Sequence, residues 1–225
     1  MTIPIFCINL ERAKDRKDKI ENDWITGLGL EINFWKAYDR RDIENGKYVY
    51  LYNSNLKIKN FWRQLSVGEI ACATSYCMLY EYLLKYNYLE AIIMEDDITP
   101  IVSSKEELFN IIEQGKLEFP ESEIMLLHKP LDPLHVFKEV KTYHSLCQNT
   151  AWGNQLFYIN KAGFLKVYNL LKTMSYPADY PQKLLCKQDI VIASNKYLCD
   201  HEWHGKNATT YIGNELRGTK RRFIE

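Results

Sequence analysis

The strongest constraint on this chain is a repeated alternation: short apolar runs of strand length, each followed by a charged segment with helical spacing. "IPIFCINL" precedes "ERAKDRKDKIENDW", whose mixed charges and apolar Ile20 and Trp24 suit an exposed helix. "EINFWKAYD" reads as a second strand ending near Asp39, and "EAIIMED" and "EIMLLH" as further strands. The clearest helix is "SVGEIACATSYCMLYEYLLKY", with Ser66 as cap and Glu69 at the reciprocal position of a capping box. "SSKEELFNIIEQGKLEF" is a second capped helix, and "NQLFYIN" followed by "KAGFLKVYNLLKTM" repeats strand then helix. Such alternation predicts one α/β domain over residues 1–225, with no linker and no internal repeat. Residues 40–65 lack periodicity and are expected to form irregular surface, a mobile loop. Residues 200–225 are a polar tail, expected to close over a site or to touch a membrane through "RGTKRRF".

Composition narrows the function classes. Lys plus Arg and Asp plus Glu are equal at 29 each, which removes a global electrostatic case for a nucleic-acid partner. No apolar run approaches the roughly 18 residues that span a bilayer. Six scattered cysteines form no zinc or redox spacing, and with a strand-like start they suit reduced thiols in a cytoplasm. No glycine-rich phosphate fingerprint follows the first strand, which argues against a dinucleotide oxidoreductase or a P-loop phosphotransferase.

The chemistry concentrates in "AIIMEDD". Three adjacent carboxylates suit a solvated turn, a pair tuned for acid and base work, or a divalent-cation site. The preceding buried strand favours a site, because α/β sheets place ligands outside the carboxyl ends of their strands. A hard cation would offset the repulsion between Glu95 and Asp97 and receive phosphate oxygens. If the extended geometry continues, Glu95 and Asp97 point one way and Asp96 the other, leaving Asp96 to hold ribose, a backbone amide or an arginine. A nucleoside diphosphate carried by Mg²⁺ or Mn²⁺ fits such a site, the cation stabilising charge on a departing diphosphate during sugar transfer.

"FCINLERAKDR", "AYDRRD", "LSVGEIACATSY", "AIIMEDD", "NQLFYINKAGF" and "YPAD", in this order over residues 3–181, resemble glycosyltransferase family 25, the lipooligosaccharide galactosyltransferases and their collagen-modifying relatives. The chain departs from the family pattern at Tyr76, where a histidine usually stands, and at His128, where a glycine is common. The resemblance implies a GT-A type nucleotide-sugar fold with a mixed central sheet flanked by helices. It also implies inverting, metal-dependent transfer of a hexose, with galactose preferred, from a UDP-sugar to a hydroxyl of a lipooligosaccharide or other surface glycan. By the same resemblance Asn9, Leu10, Arg16, Asp39, Glu69, Glu95 and Asp96 are expected around the nucleotide-sugar, and Asp97 with Glu95 on the metal. Arg12 and Arg16 are otherwise solvated helix charges, Asp39 a turn residue and Glu69 a cap. Asp179 in "YPAD" is the expected base that takes the acceptor hydroxyl proton, with Asp189 in reserve. His201 or His204 is the candidate nitrogen ligand. His128, His135, His144, Trp152, Trp203 and Tyr158 are candidates to face sugars. The expected location is the cytoplasm, with peripheral attachment to the cytoplasmic face of the inner membrane as an option. Alternatives are a UDP-glucose or N-acetylhexosamine donor, a metal-dependent phosphohydrolase, and a noncatalytic glycan-binding protein.

Overall fold

The computed structural model describes residues 3–45, 65–128, 137–147, 153–173 and 176–201. Among them runs an eight-stranded mixed sheet in the order β2-β1-β3-β8-β5-β9-β7-β6. Its strands are β1 (Ile5–Asn9), β2 (Ile32–Lys36), β3 (Glu90–Glu95), β5 (Ile124–Leu126), β6 (Phe137–Val140), β7 (His144–Cys147), β8 (Leu156–Asn160) and β9 (Val191–Ser194). Two short strands, β4 (Ile98–Pro100) and β10 (Cys199–His201), pair antiparallel beside it. The helices are α1 (Lys14–Ile20), extended by a π-helical turn (Glu21–Thr26), α2 (Arg40–Glu44), α3 (Val67–Lys85), α4 (Lys105–Glu118), α5 (Lys161–Leu171) and α6 (Tyr180–Leu185). A mixed sheet flanked by helices is the architecture the sequence predicts.

Both faces of the sheet are buried, which is why its central strands are continuous apolar runs rather than alternating ones. Along β1, Phe6 and Ile8 enter one core with Tyr76, Leu79, Tyr80 and Leu83 of α3 and Phe164 of α5. Ile5 and Cys7 enter the opposite core with Ile20, Trp24 and, from α4, Leu108 and Ile112. β3 divides in the same way: Ala91 and Ile93 face the α3 side, Ile92 and Met94 the α4 side. α3 starts with the full capping box: Ser66 Oγ accepts from the Glu69 N–H (3.2 Å) while Glu69 Oε2 accepts from the Ser66 N–H (2.8 Å).

Local expectations change at two places. The start of the presumed irregular stretch holds α2, because the Asp39 side chain accepts from the Arg41 N–H and caps it. Residues 46–64 lie outside the described residues. The extended strand does not continue through the acids: the chain turns at Asp96 and Asp97 and resumes as β4, which ends at Pro100 and whose partner β10 covers it.

Strand directions place the site. β1 is parallel to β2 and β3, β3 and β5 are both antiparallel to β8, and β9 is parallel to β5. The carboxyl ends of β1, β3, β5 and β9 therefore lie along one edge, together with the start of β8.

Candidate active site

At that edge β1 ends in Asn9 and β3 in Glu95. The turn after β3 interrupts the strand at the acids: Tyr76 holds the first, and Arg16 reaches the other two. Glu95 Oε1 accepts from the Tyr76 hydroxyl at 3.0 Å. Asp96 is buried and accepts from Asn9 Nδ2 at 2.7 Å and from Arg16 Nη1 at 2.8 Å. Asp97 Oδ2 lies 3.6 Å from the same Arg16 nitrogen. Of the partners expected for Asp96, the arginine is in place. Arg16 is thus not a solvated helix charge; it ties α1 to the turn.

Crowded acids raise one another. Burial and then the charge of Asp97 push the Glu95 carboxyl up to about 8, with Asp179 and Asp96 adding to the rise and the Tyr76 bond opposing it. Asp179 stands at the start of α6, and burial lifts its carboxyl above the ordinary range, against the N–H groups of Asp179 and Gly153 and with Glu69 adding to the lift. Cys72 of α3 feels the charges of Glu95, Asp179, Asp97 and Glu69 together, and its burial and theirs drive the thiol well above its usual value. The fold thus brings Glu69, Glu95, Asp97 and Asp179 around one end of α3. Cys72 and Tyr76 share a helix face with Glu69, at spacings of three and seven residues; sequence reasoning passed over both as site residues, and this period is the signal that could have found them.

Other predicted residues take different places. Leu10 accepts the Ala13 N–H at 2.8 Å and turns the chain from β1 into α1. Arg12 Nε pairs with Asp39 Oδ2 at 2.5 Å. Burial would raise Asp39, but the Arg41 N–H and the Arg12 guanidinium outweigh it and hold its carboxyl below the usual range. Glu69 closes the capping box besides facing the acids.

Asp189 requires a correction. It precedes β9, so it stands at the edge of the sheet opposite Glu95, in left-handed backbone (φ 59°) and ion-paired with Lys138. The topology removes it as a base. His128 and His144 are buried rather than turned toward a sugar: His128 Nδ1 lies 2.8 Å from the Leu156 carbonyl, and His144 has no exposed surface. Tyr158 is in the α4-side core, its hydroxyl donating to Glu90 Oε2 at 2.8 Å. The His201 backbone pairs with Ile98, directly after Asp97. The side chain of His201, together with His135, His204, Trp152, Trp203 and "RGTKRRF", lies outside the described residues.

Among the described residues no three His, Cys, Asp or Glu side chains are gathered to hold a metal ion by themselves. Glu95 and Asp97 nevertheless suit a hard cation as two of its ligands: both offer carboxylate oxygens, and the charge of Asp97 destabilises that of Glu95.

A family model described as Glycosyltransferase family 25 (LPS biosynthesis protein) matches residues 2–181. A Glycosyltransferase 25 family member of Aedes aegypti is 32% identical over 100 residues, a match covering 42% of this chain and 16% of that protein's length. The chain is also similar to a solved glycosyltransferase involved in the glycosylation of the major capsid of PBCV-1, with 10% identity and a TM-score of 0.42 over 84% of this chain and 76% of that one. Mouse xyloside xylosyltransferase 1, in its apo form, gives 9% identity and a TM-score of 0.43 over 82% and 75%.

Proposed function

This chain belongs to glycosyltransferase family 25, and on that premise we propose that it transfers a hexose, galactose by preference, from a UDP-sugar to a hydroxyl of a lipooligosaccharide or other surface glycan, with inversion and with Mn²⁺ or Mg²⁺. The observation that carries the proposal is the convergence of Glu95, Asp97 and Asp179 at the carboxyl ends of β1 and β3. Glu95 and Asp97 are the residues that would hold the cation, whose chemistry is to neutralise negative charge on the departing diphosphate.

The protein groups divide the remaining work. Arg16, held by Asp96, keeps the turn that presents Asp97. Asp179 receives the proton of the acceptor hydroxyl; its raised carboxyl is a better proton acceptor than an ordinary exposed aspartate. The Arg12–Asp39 pair joins the start of α1 to the start of α2 at the rim of the site, where it supports binding of the nucleotide. Action on the cytoplasmic face of the inner membrane belongs to the same proposal.

The test offers purified protein UDP-galactose, UDP-glucose and UDP-N-acetylhexosamines with a glycan acceptor, with Mn²⁺ and with chelator, and determines the anomeric configuration of the product by NMR. Chelator-sensitive transfer from UDP-galactose to a β-linked product is expected. Hydrolysis of a phosphodiester without sugar transfer would overturn the proposal, and transfer from another donor would revise its sugar.

A further inference from the structure

Glu95 is supported from behind by a line of buried polar groups. The Tyr76 hydroxyl that donates to Glu95 Oε1 also lies 3.3 Å from the Asn154 carbonyl. The Asn154 side chain in turn accepts from Gln182 Nε2 at 2.5 Å, and the Glu95 N–H donates to the Gln155 carbonyl at 2.9 Å. Tyr76, Asn154 and Gln182 are each at most 2% exposed. They come from three elements: Tyr76 from α3, Asn154 from the approach to β8, and Gln182 from the first turns of α6, just beyond Asp179. The Tyr76 ring packs against Phe157 and Tyr80, so its hydroxyl cannot swing away from Glu95.

A packed core needs no polar line of this kind. Buried polar side chains stabilise less than well-packed apolar ones of the same shape, yet they fix orientation more sharply. The line ends on one of the two proposed cation ligands and begins on the helix that carries the proposed base.

We infer that Gln182, Asn154 and Tyr76 form a strut that sets the Glu95 carboxylate relative to α6, so that cation ligand and base keep one spacing. Tyr76 and Gln182 are then positioning residues: they act through Glu95 and touch neither cation nor sugar. Tyr76 holds Oε1 of Glu95, so Oε2 is the oxygen that would remain for a cation. The inference rests on the proposed function above and adds to it the residues that tune it.

The experiment measures Mn²⁺ uptake by electron paramagnetic resonance, without any sugar, in the wild type and in Tyr76→Phe, Gln182→Met and the double variant. Thermal unfolding of each protein is followed alongside. Outer groups that orient a metal ligand change affinity by about 10- to 100-fold when removed, so Tyr76→Phe is expected to weaken uptake at least about tenfold, and Gln182→Met less. Because both act through one carboxylate, the double variant is expected to match Tyr76→Phe within about twofold rather than add. Saturating Mn²⁺ is expected to restore most of kcat/KM to Tyr76→Phe, since mass action refills a weakened site. A purely structural Tyr76 would lower the unfolding temperature and leave the affinity of the folded fraction unchanged.

Affinity within about twofold of wild type in both folded single variants, or additive losses, would overturn the strut. A folded wild type that takes up no Mn²⁺ would instead overturn the metal reading of the site, and the strut with it. The two failures are separated by the wild-type measurement alone.

Discussion

Replacing Arg16 by Met removes one cation from beneath two carboxylates and leaves a chain of nearly the same length. Arg16 lies 2.8 Å from Asp96 and 3.6 Å from Asp97, with side-chain exposures of 14%, 10% and 20% respectively. At 2.8 Å and an effective dielectric of about 20 the attraction to Asp96 alone is about 6 kcal/mol. Desolvation of both groups offsets part of this, and breaking one side of a buried pair costs about 3–5 kcal/mol. The lower end applies here, because Asn9 still donates to Asp96 and solvent reaches Asp97. About 3 kcal/mol in a domain of this size corresponds to a fall in the unfolding temperature of about 6–12 °C. The loss also has a pH signature. Burial already lifts Asp96 above its ordinary value, against the pull of Arg16 and Asn9, and without Arg16 the folded-state pKa rises further. A group with a raised folded pKa loses stability as pH climbs from the unfolded value toward the folded one. The deficit of Arg16→Met is therefore expected to be larger at pH 7.5 than at pH 5, measured by urea denaturation of both proteins. Adding Asp96→Asn removes the stranded charge and is expected to recover part of the loss. A deficit below about 1 kcal/mol, which is typical of a surface pair, or a double variant less stable than Arg16→Met, would refute the reasoning.

Ser66→Ala removes half of the α3 capping box and is expected to cost about 1 kcal/mol by urea denaturation. His144 is wholly buried against α4, and burial outweighs the nearby Glu118 carboxylate to hold its pKa below the ordinary value. Its unfolded form therefore binds the proton first, so stability is expected to fall as pH drops below about 6.5, and His144→Leu to flatten that fall. Asp179→Asn is expected to lower kcat by about 10²- to 10⁴-fold, as loss of a general base does. Asp189→Asn, at the opposite edge of the sheet, is expected to leave kcat within about twofold, as a surface change away from the site does.

The parts that could be read from the chain depend on neighbours in sequence. Ser66 and Glu69 are one helical turn apart, so the box that starts α3 needs nothing beyond that turn. β1 and β3 declare themselves because both faces of each strand are buried and no polar residue interrupts them. Asp39 likewise caps α2 by a bond to Arg41, a strictly local device that hydrophobic periodicity does not reveal. The roles at the site depend on partners far along the chain. Asp96 turns inward because Asn9 and Arg16 reach it across 87 and 80 residues, and Tyr76 finds Glu95 because α3 packs beside the end of β3. The same distance effect governs Asp179 and Asp189. They are close in sequence and alike in chemistry, but α6 runs between them, and only the first lies at the carboxyl edge.

The sequence by itself determined that this chain builds an α/β sheet with acids at the end of a buried strand, because hydrophobic period, capping and strand burial are properties of short stretches. Only the tertiary structure decided which acids meet. β8 enters antiparallel between β3 and β5, and the turn after Glu95 is set by an arginine from another helix. Strand order and long-range ion pairs are chosen by the whole core at once, and no local stretch contains them.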